Sequence, residues 1–165
     1  MSKKPQPYPM SGNINSHGSW LWVPGKPIAQ PRAKATSING KARMYQPKGP
    51  IAPYKQQIAI EARKFFNQPL FGPVRLVVQC YLPRPKAKVW KTKPMPREWH
   101  TSKPDIDNLA KAVMDALNGI AWNDDAQVCE TIAAKYVSSG SEDVGVRIGI
   151  IEIVGDAADV WTATK

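Results

Sequence analysis

Cysteine and histidine are almost missing from this chain of 165 residues: Cys80, Cys129, His17 and His100 are the whole supply, and no two form a CxxC or similar pair. A zinc site is thereby excluded as a working assumption, because structural zinc needs clustered thiolates and imidazoles. The two thiols are expected to be small core residues of a protein in a reducing compartment. His100 lies beside an acidic cluster, where it either meets substrate or is an exposed loop histidine. Long apolar runs are also absent, none approaching the roughly 18 residues that cross a bilayer. The start, MSKKPQPYPM, is basic but is followed by no apolar segment of the secretory kind, so the expected location is the cytoplasm. Acids are the third scarcity. Before Asp105 only Glu61 and Glu98 stand against nineteen Lys and Arg, a formal +17, whereas from Asp105 onward four bases face eleven acids, a formal −7. A surface so biased gains free energy by releasing the counterions condensed on a nucleic acid, which makes a polyanion the expected partner.

What is present reads as one domain, since 165 residues are enough for one core and too few to expect two. Residues 1–18, rich in Pro, Ser, Gly and Asn, are expected to be a flexible N-terminal arm, and 155–165 a loose tail. Ser19 to Val23 reads as a first strand stopped by Pro24-Gly25. The segment 26–50 carries Lys26, Arg32, Lys34, Lys41, Arg43 and Lys48 among turn residues, and no regular element is assigned to it. Tyr54, Ile58, Ala62, Phe65 and Phe66 recur at helical spacing, predicting a surface helix from Tyr54 to Asn67. Val74 to Leu82 reads as a well buried strand. Between Pro83 and Pro104 the prolines forbid a regular element, leaving a stiff basic loop that also holds Trp90 and Trp99. Ile106, Leu109, Ala110, Val113 and Leu117 predict a second helix from about Asp105, stopped by Asn118-Gly119. Residues 127–137 and 144–154 are expected to form an antiparallel hairpin. The fold class is therefore α+β, a mixed or antiparallel sheet of about four strands carrying two main helices.

Several acids fall in one stretch directly after the basic loop: Asp105, Asp107, Asp115, Asp124 and Asp125. Asp105 suits the N-cap of the second helix, Asp107 its first turn, and Lys111 lies one turn beyond Asp107 on the same face. Carboxylates set in a basic surface can hold a hard divalent cation such as Mg2+ against a phosphodiester. Helix capping and a favourable helix dipole explain the first pair equally well. A salt bridge to Lys111 accounts for Asp115, and a polar turn for Asn123-Asp124-Asp125.

The block KPDIDNLAKAVMDALNGIAWNDDAQV, Lys103 to Val128, closely resembles the signature of the RusA family of Holliday-junction resolvases. Asp105, Asp107, Asn108, Lys111, Asp115, Leu117, Asp124, Asp125 and Gln127 match its DxDN, the following Lys, the Asp-x-Leu helix end and the later Asp-Asp-x-Gln. Gly25 to Arg32 and the helix-strand order from Tyr54 to Leu82 are similar more faintly, while the long basic loop and the N-terminal arm depart from compact members. The resemblance implies a nuclease domain over 19–154, working as a homodimer that cuts four-way DNA junctions by paired nicks in recombination and repair. It implies Mg2+, with Mn2+ as a substitute, and 5′-phosphate and 3′-hydroxyl products. Asp105, Asp107 and Asp125 are implied metal-binding catalytic acids and Lys111 the essential lysine, supported by Asn108 and Asp124. It places the enzyme in a bacterial cell, encoded by the host, a phage or a prophage.

Arg32, Lys34, Arg84, Lys86, Lys88 and Lys103 are the candidate phosphate contacts, and Trp90 or Trp99 either stacks on an unpaired base or packs the loop. Two other readings compete: a nuclease for flaps or forks, and a noncatalytic DNA-binding protein whose acids merely cap a helix. An RNA-binding protein ranks last, because neither an RNP aromatic motif nor a GXXG loop is present.

Overall fold

The computed structural model describes residues 12–14, 18–45, 47, 49–90, 92–93 and 95–155. The expected tail beyond Gly155 and most of the expected arm, His17 included, lie outside them. The chain runs β1 (Gly12–Ile14), β2 (Gly18–Pro24), β3 (Lys34–Ile38), β4 (Lys41–Tyr45), α1 (Ile51–Arg63), β5 (Val74–Leu82), β6 (Glu98–Trp99), α2 (Ile106–Leu117), β7 (Val128–Val137) and β8 (Gly145–Glu152). One six-stranded mixed sheet has the order β1-β2-β8-β5-β7-β6, and β3-β4 form a separate two-stranded sheet. The class is α+β, as expected, with the four long strands at the centre and two short edge strands added. Gly12–Ile14, expected in the flexible arm, form one of those edges by pairing antiparallel with β2.

Strand order departs from the sequence reading. β7 and β8 are not a hairpin: β5 lies between them, parallel to β7 and antiparallel to β8. The reason is burial. β5 is the strand least tolerant of an edge, with Val74, Leu76, Val78, Cys80 and Leu82 all buried, so it takes the central place that its composition demands. The parallel β5-β7 pair requires a crossover, and α2 makes it.

Both helices cover the same face. Tyr54, Ile58 and Ala62 of α1 and Leu109, Val113, Ala116 and Leu117 of α2 meet Leu21, Val23, Val146, Ile148 and Ile150 in one core. α1 starts three residues before the predicted Tyr54, because Pro53 falls in the first turn, where a missing N–H costs nothing. Trp122, fully buried, closes the end of the core below α2. Cys80 is buried as expected, and burial pushes its thiol up to about 12. Cys129 is not: Val128 pairs with Val74 and Glu130 with Arg75, leaving Cys129 as the extra, exposed residue of a β-bulge.

Candidate active site

α2 begins at Ile106, and Asp105 takes the N-cap position with extended backbone (φ −73, ψ 144). Its carbonyl accepts the Leu109 N–H at 3.2 Å, which closes the first turn. Its carboxylate makes no capping bond. That separates the two uses open to the residue, since a capping Asp spends its side chain on the N2 or N3 amide. Asp107 is in the first turn and exposed. One nitrogen of the Arg32 guanidinium stands 3.3 Å from an Asp105 oxygen and 3.9 Å from an Asp107 oxygen, so the two carboxylates converge on a single cationic point. Arg32 arrives there because the segment after β2 docks on the helix: the Gln30 N–H donates to the Asn108 carbonyl at 2.8 Å. Asn108 thus supports the site through its backbone.

Lys135 holds the other side of this corner, and the sequence reading missed it. From β7 its ammonium donates to the carbonyls of Ser102 at 2.6 Å and Pro104 at 2.7 Å, the residues leading into Asp105. Its own carbonyl accepts the His100 N–H at 3.2 Å. A single lysine in the otherwise uncharged run TIAAKYV was the available signal. Lys111, one turn from Asp107, is exposed, and its ammonium lies 3.4 Å from Asp115. Asp115 is bonded more closely to Lys55 at 2.7 Å, which ties α2 to α1 and gives that acid the salt-bridge role anticipated for it.

The second acidic pair sits elsewhere. Asp124 caps a short 3-10 turn, its carboxylate accepting the Ala126 N–H at 2.8 Å while Gln127 returns the bond to the Asp124 and Asn123 amides. Asp125 accepts the Trp122 indole N–H at 2.9 Å and is half-buried. These residues adjoin the C-terminal end of α2, where the Gly119 N–H donates to the Trp122 carbonyl at 2.8 Å. Asp105 is at the N-terminal end, twelve helical residues away, which is about 18 Å. Within one chain Asp125 therefore does not reach the Asp105-Asp107 pair. Among the described residues no group of three or more His, Cys, Asp or Glu side chains is placed to share a metal ion. The pair itself fits a hard cation: it offers two convergent carboxylates, one of them unspent on capping, and Mg2+ commonly takes one or two carboxylates plus waters and phosphate oxygens.

The basic residues divide. Arg84 has a side chain only 6% exposed and is bonded to Glu98 at 2.7 Å, as well as to the Ser138 and Pro96 carbonyls. The structure thus corrects its assignment as a phosphate contact: its guanidinium staples the loop. That bond and the Arg84 and Lys88 charges hold the Glu98 carboxyl below its ordinary range. Arg97 likewise pairs with Glu142, and its guanidinium lies over the Tyr81 and Tyr136 rings. Burial works against the Glu142 charge, yet Arg97 and the Ser139 amide prevail and keep that carboxyl low. Lys34, Lys86 and Lys103 are exposed, and Lys88 is exposed with Glu98 at 3.6 Å. Trp99 is 71% exposed, one face against Tyr136 with centroids 5.0 Å apart, and Trp90 is exposed on the loop.

The family model described as Endodeoxyribonuclease RusA matches residues 24–150, the whole span from the end of β2 to β8 and every residue of this corner. The chain belongs to the RusA endodeoxyribonuclease family. Membership makes it a nuclease by family, and the resemblance carried by Lys103 to Val128 is thereby confirmed. The chain is also 34% identical over 137 residues to the uncharacterized protein YqaN of Bacillus subtilis (strain 168), covering 79% of this chain and 94% of that protein. In this RusA chain the family signature occupies the start of α2, the helix itself and the turn before β7.

Proposed function

We propose that this chain is a Mg2+-dependent, structure-specific endodeoxyribonuclease that resolves four-way DNA junctions by paired, symmetric nicks, working as a homodimer on nuclease domains spanning 19–154. One observation carries the reading: in a RusA-family chain, the Asp105 and Asp107 carboxylates converge on one cationic point, and Asp105 is not spent on capping its helix. Those two carboxylates would hold the ion. When bound, such an ion offsets the charge that grows on the phosphodiester in the transition state and lowers the pKa of a bound water. Arg32 lies where its guanidinium can bind the phosphate brought to the pair, and exposed Lys111 supplies a second cation one turn along α2. Lys135 fixes the backbone into Asp105 so that the carboxylates are set before substrate arrives. Lys86, Lys88 and Lys103 are left to contact phosphates of the arms.

Asp125 enters this scheme only from a second chain. One helix length separates it from Asp105, whereas ligands of one ion lie within a few ångströms of each other. A two-fold dimer would let the partner subunit's Asp125 meet the Asp105-Asp107 pair, with Trp122 holding that carboxylate in orientation. The same two-fold symmetry suits a junction of four arms, and two equivalent sites give two symmetric nicks.

The deciding experiment is cleavage of an immobile four-way junction, with linear duplex as control, by wild type and Asp107→Asn in Mg2+ and in EDTA. The expected result is paired, Mg2+-dependent nicks on the junction, which the variant loses while still binding it. Equal nicking of duplex and junction would defeat the resolvase reading in favour of a less selective nuclease. Junction binding without cleavage in any metal would return the acids to helix capping and leave a DNA-binding module.

A further inference from the structure

The hairpin β3-β4 belongs to neither the sheet nor the core. It forms its own two-stranded sheet, and Lys34 follows Arg32 by two residues, so the ribbon leaves the protein within about 7 Å of chain from the residue that spans Asp105 and Asp107. Its tip is Asn39-Gly40, both with positive φ (53 and 71), the geometry of a tight turn matched to the strand twist. The register decides its chemistry. Lys34 faces Tyr45, Thr36 faces Arg43 and Ile38 faces Lys41, while Ala35 faces Met44 and Ser37 faces Ala42. Paired residues share a face and successive residues alternate, so all three cations lie on one side with Thr36, Ile38 and Tyr45. The other side, Ala35, Ser37, Ala42 and Met44, is small or apolar and uncharged.

Lys34, Lys41 and Arg43 are exposed, and among the described residues none is paired with a carboxylate. No acid at all occurs before Glu61. A cluster of unneutralised charge on a two-residue-wide ribbon is costly on a free protein surface and favourable against a polyanion. The B-form major groove, about 12 Å wide, admits a two-stranded ribbon. Five residues per strand give a reach of about 14 Å, or roughly four base pairs of rise.

We propose that β3-β4 is a DNA-binding arm that lies along a groove of the duplex flanking the scissile phosphate, its Lys34-Lys41-Arg43 face against the phosphates. The proposal rests on the nuclease reading above and adds a substrate-binding element. Because the arm grips duplex, it contributes on linear DNA as well as on a junction.

The test is the salt dependence of binding in EDTA, where no cleavage occurs, to a four-way junction, a linear duplex and a single-stranded RNA of the same length. The triple variant Lys34→Ser, Lys41→Ser, Arg43→Ser is expected to bind both DNAs about tenfold or more weakly near 0.1 M salt, and to lose about two to three units of the slope of log affinity against log salt. The conservative set Lys34→Arg, Lys41→Arg, Arg43→Lys keeps affinity and slope. Melting temperature stays unchanged in both, since the arm is outside the core. Should the triple variant unfold, Lys41→Gln with Arg43→Gln is read in the same way, at about two units. Slopes equal to wild type overturn the arm, whatever wild type cleaves. So does a loss confined to the junction, which would place the contact at the crossover, or a loss confined to RNA. Wild-type nicking of duplex and junction alike would instead defeat the resolvase reading and leave the slope difference standing.

Discussion

Lys135 and Arg32 show how much of this site is made by residues that touch neither end of the signature in sequence. Lys135 spends two short hydrogen bonds on the carbonyls of Ser102 and Pro104. Removing them frees the peptide that carries Asp105, so Lys135 is a positioning residue and not a catalytic one. Lys135→Met is expected to lower junction cleavage by about 10- to 100-fold, the usual cost of losing a partner that orients a ligand. A structural loss alone would not produce the accompanying signature: a higher Mg2+ requirement and faster amide exchange around 101–105 at unchanged melting temperature. Lys135→Arg recovers part of both. If Lys135→Met matches wild type in Mg2+ titration and exchange, the positioning role is wrong. Asp124 and Asp125 are also separated at this scale. Asp124 is consumed in a capping box, whereas Asp125 takes one indole bond and keeps an oxygen for other work.

The basic loop between β5 and α2 is held by acids that its composition makes easy to overlook. Arg84-Glu98 and Arg97-Glu142 anchor it at two points, with the Arg97 guanidinium over the rings of Tyr81 and Tyr136. Both carboxyls are held below their ordinary value. A depressed carboxyl contributes stability that is present above the unfolded-state value, about 4.3, and is lost as pH falls through the lower folded value. The loop is therefore expected to loosen as pH falls below about 4.3 while the core persists, seen as amide exchange in 84–103 that accelerates before global unfolding. Glu98→Gln should flatten that acid response and raise exchange at neutral pH. An unchanged profile in the variant would assign the acid sensitivity to other groups. The buried stripe of α2, by contrast, is apolar throughout.

For the whole molecule the distance between Asp105 and Asp125 has one direct consequence. If each metal site takes Asp105 and Asp107 from one chain and Asp125 from the other, two inactive variants should rescue each other. Mixing Asp107→Asn with Asp125→Asn chains produces heterodimers that hold one intact site and one doubly altered site. Nicking of single strands should return on mixing, while paired nicking on one junction stays low. Each variant alone remains inactive. No recovery in a mixture shown by mass to contain heterodimers would rule out the shared site and leave Asp125 with only its bond to the Trp122 indole.

Much of this arrangement is legible in the sequence because it depends on neighbours in the chain. The 3.6-residue stripe of α2, the stop at Asn118-Gly119, the well buried β5 and the carboxylates at the helix start are local patterns, and each stands where expected. The acid and base halves likewise followed from counting, as did the family signature. Tertiary structure alone decided that β5 separates β7 from β8, that Cys129 is a bulge residue, and that Arg84 is a staple. It alone carried Arg32 across 73 positions to the acids, and set Asp125 a helix length away from them. Those outcomes rest on competition for burial and on pairing between residues remote in sequence. Composition and periodicity say which residues need partners, and only the packed chain says which partners they get.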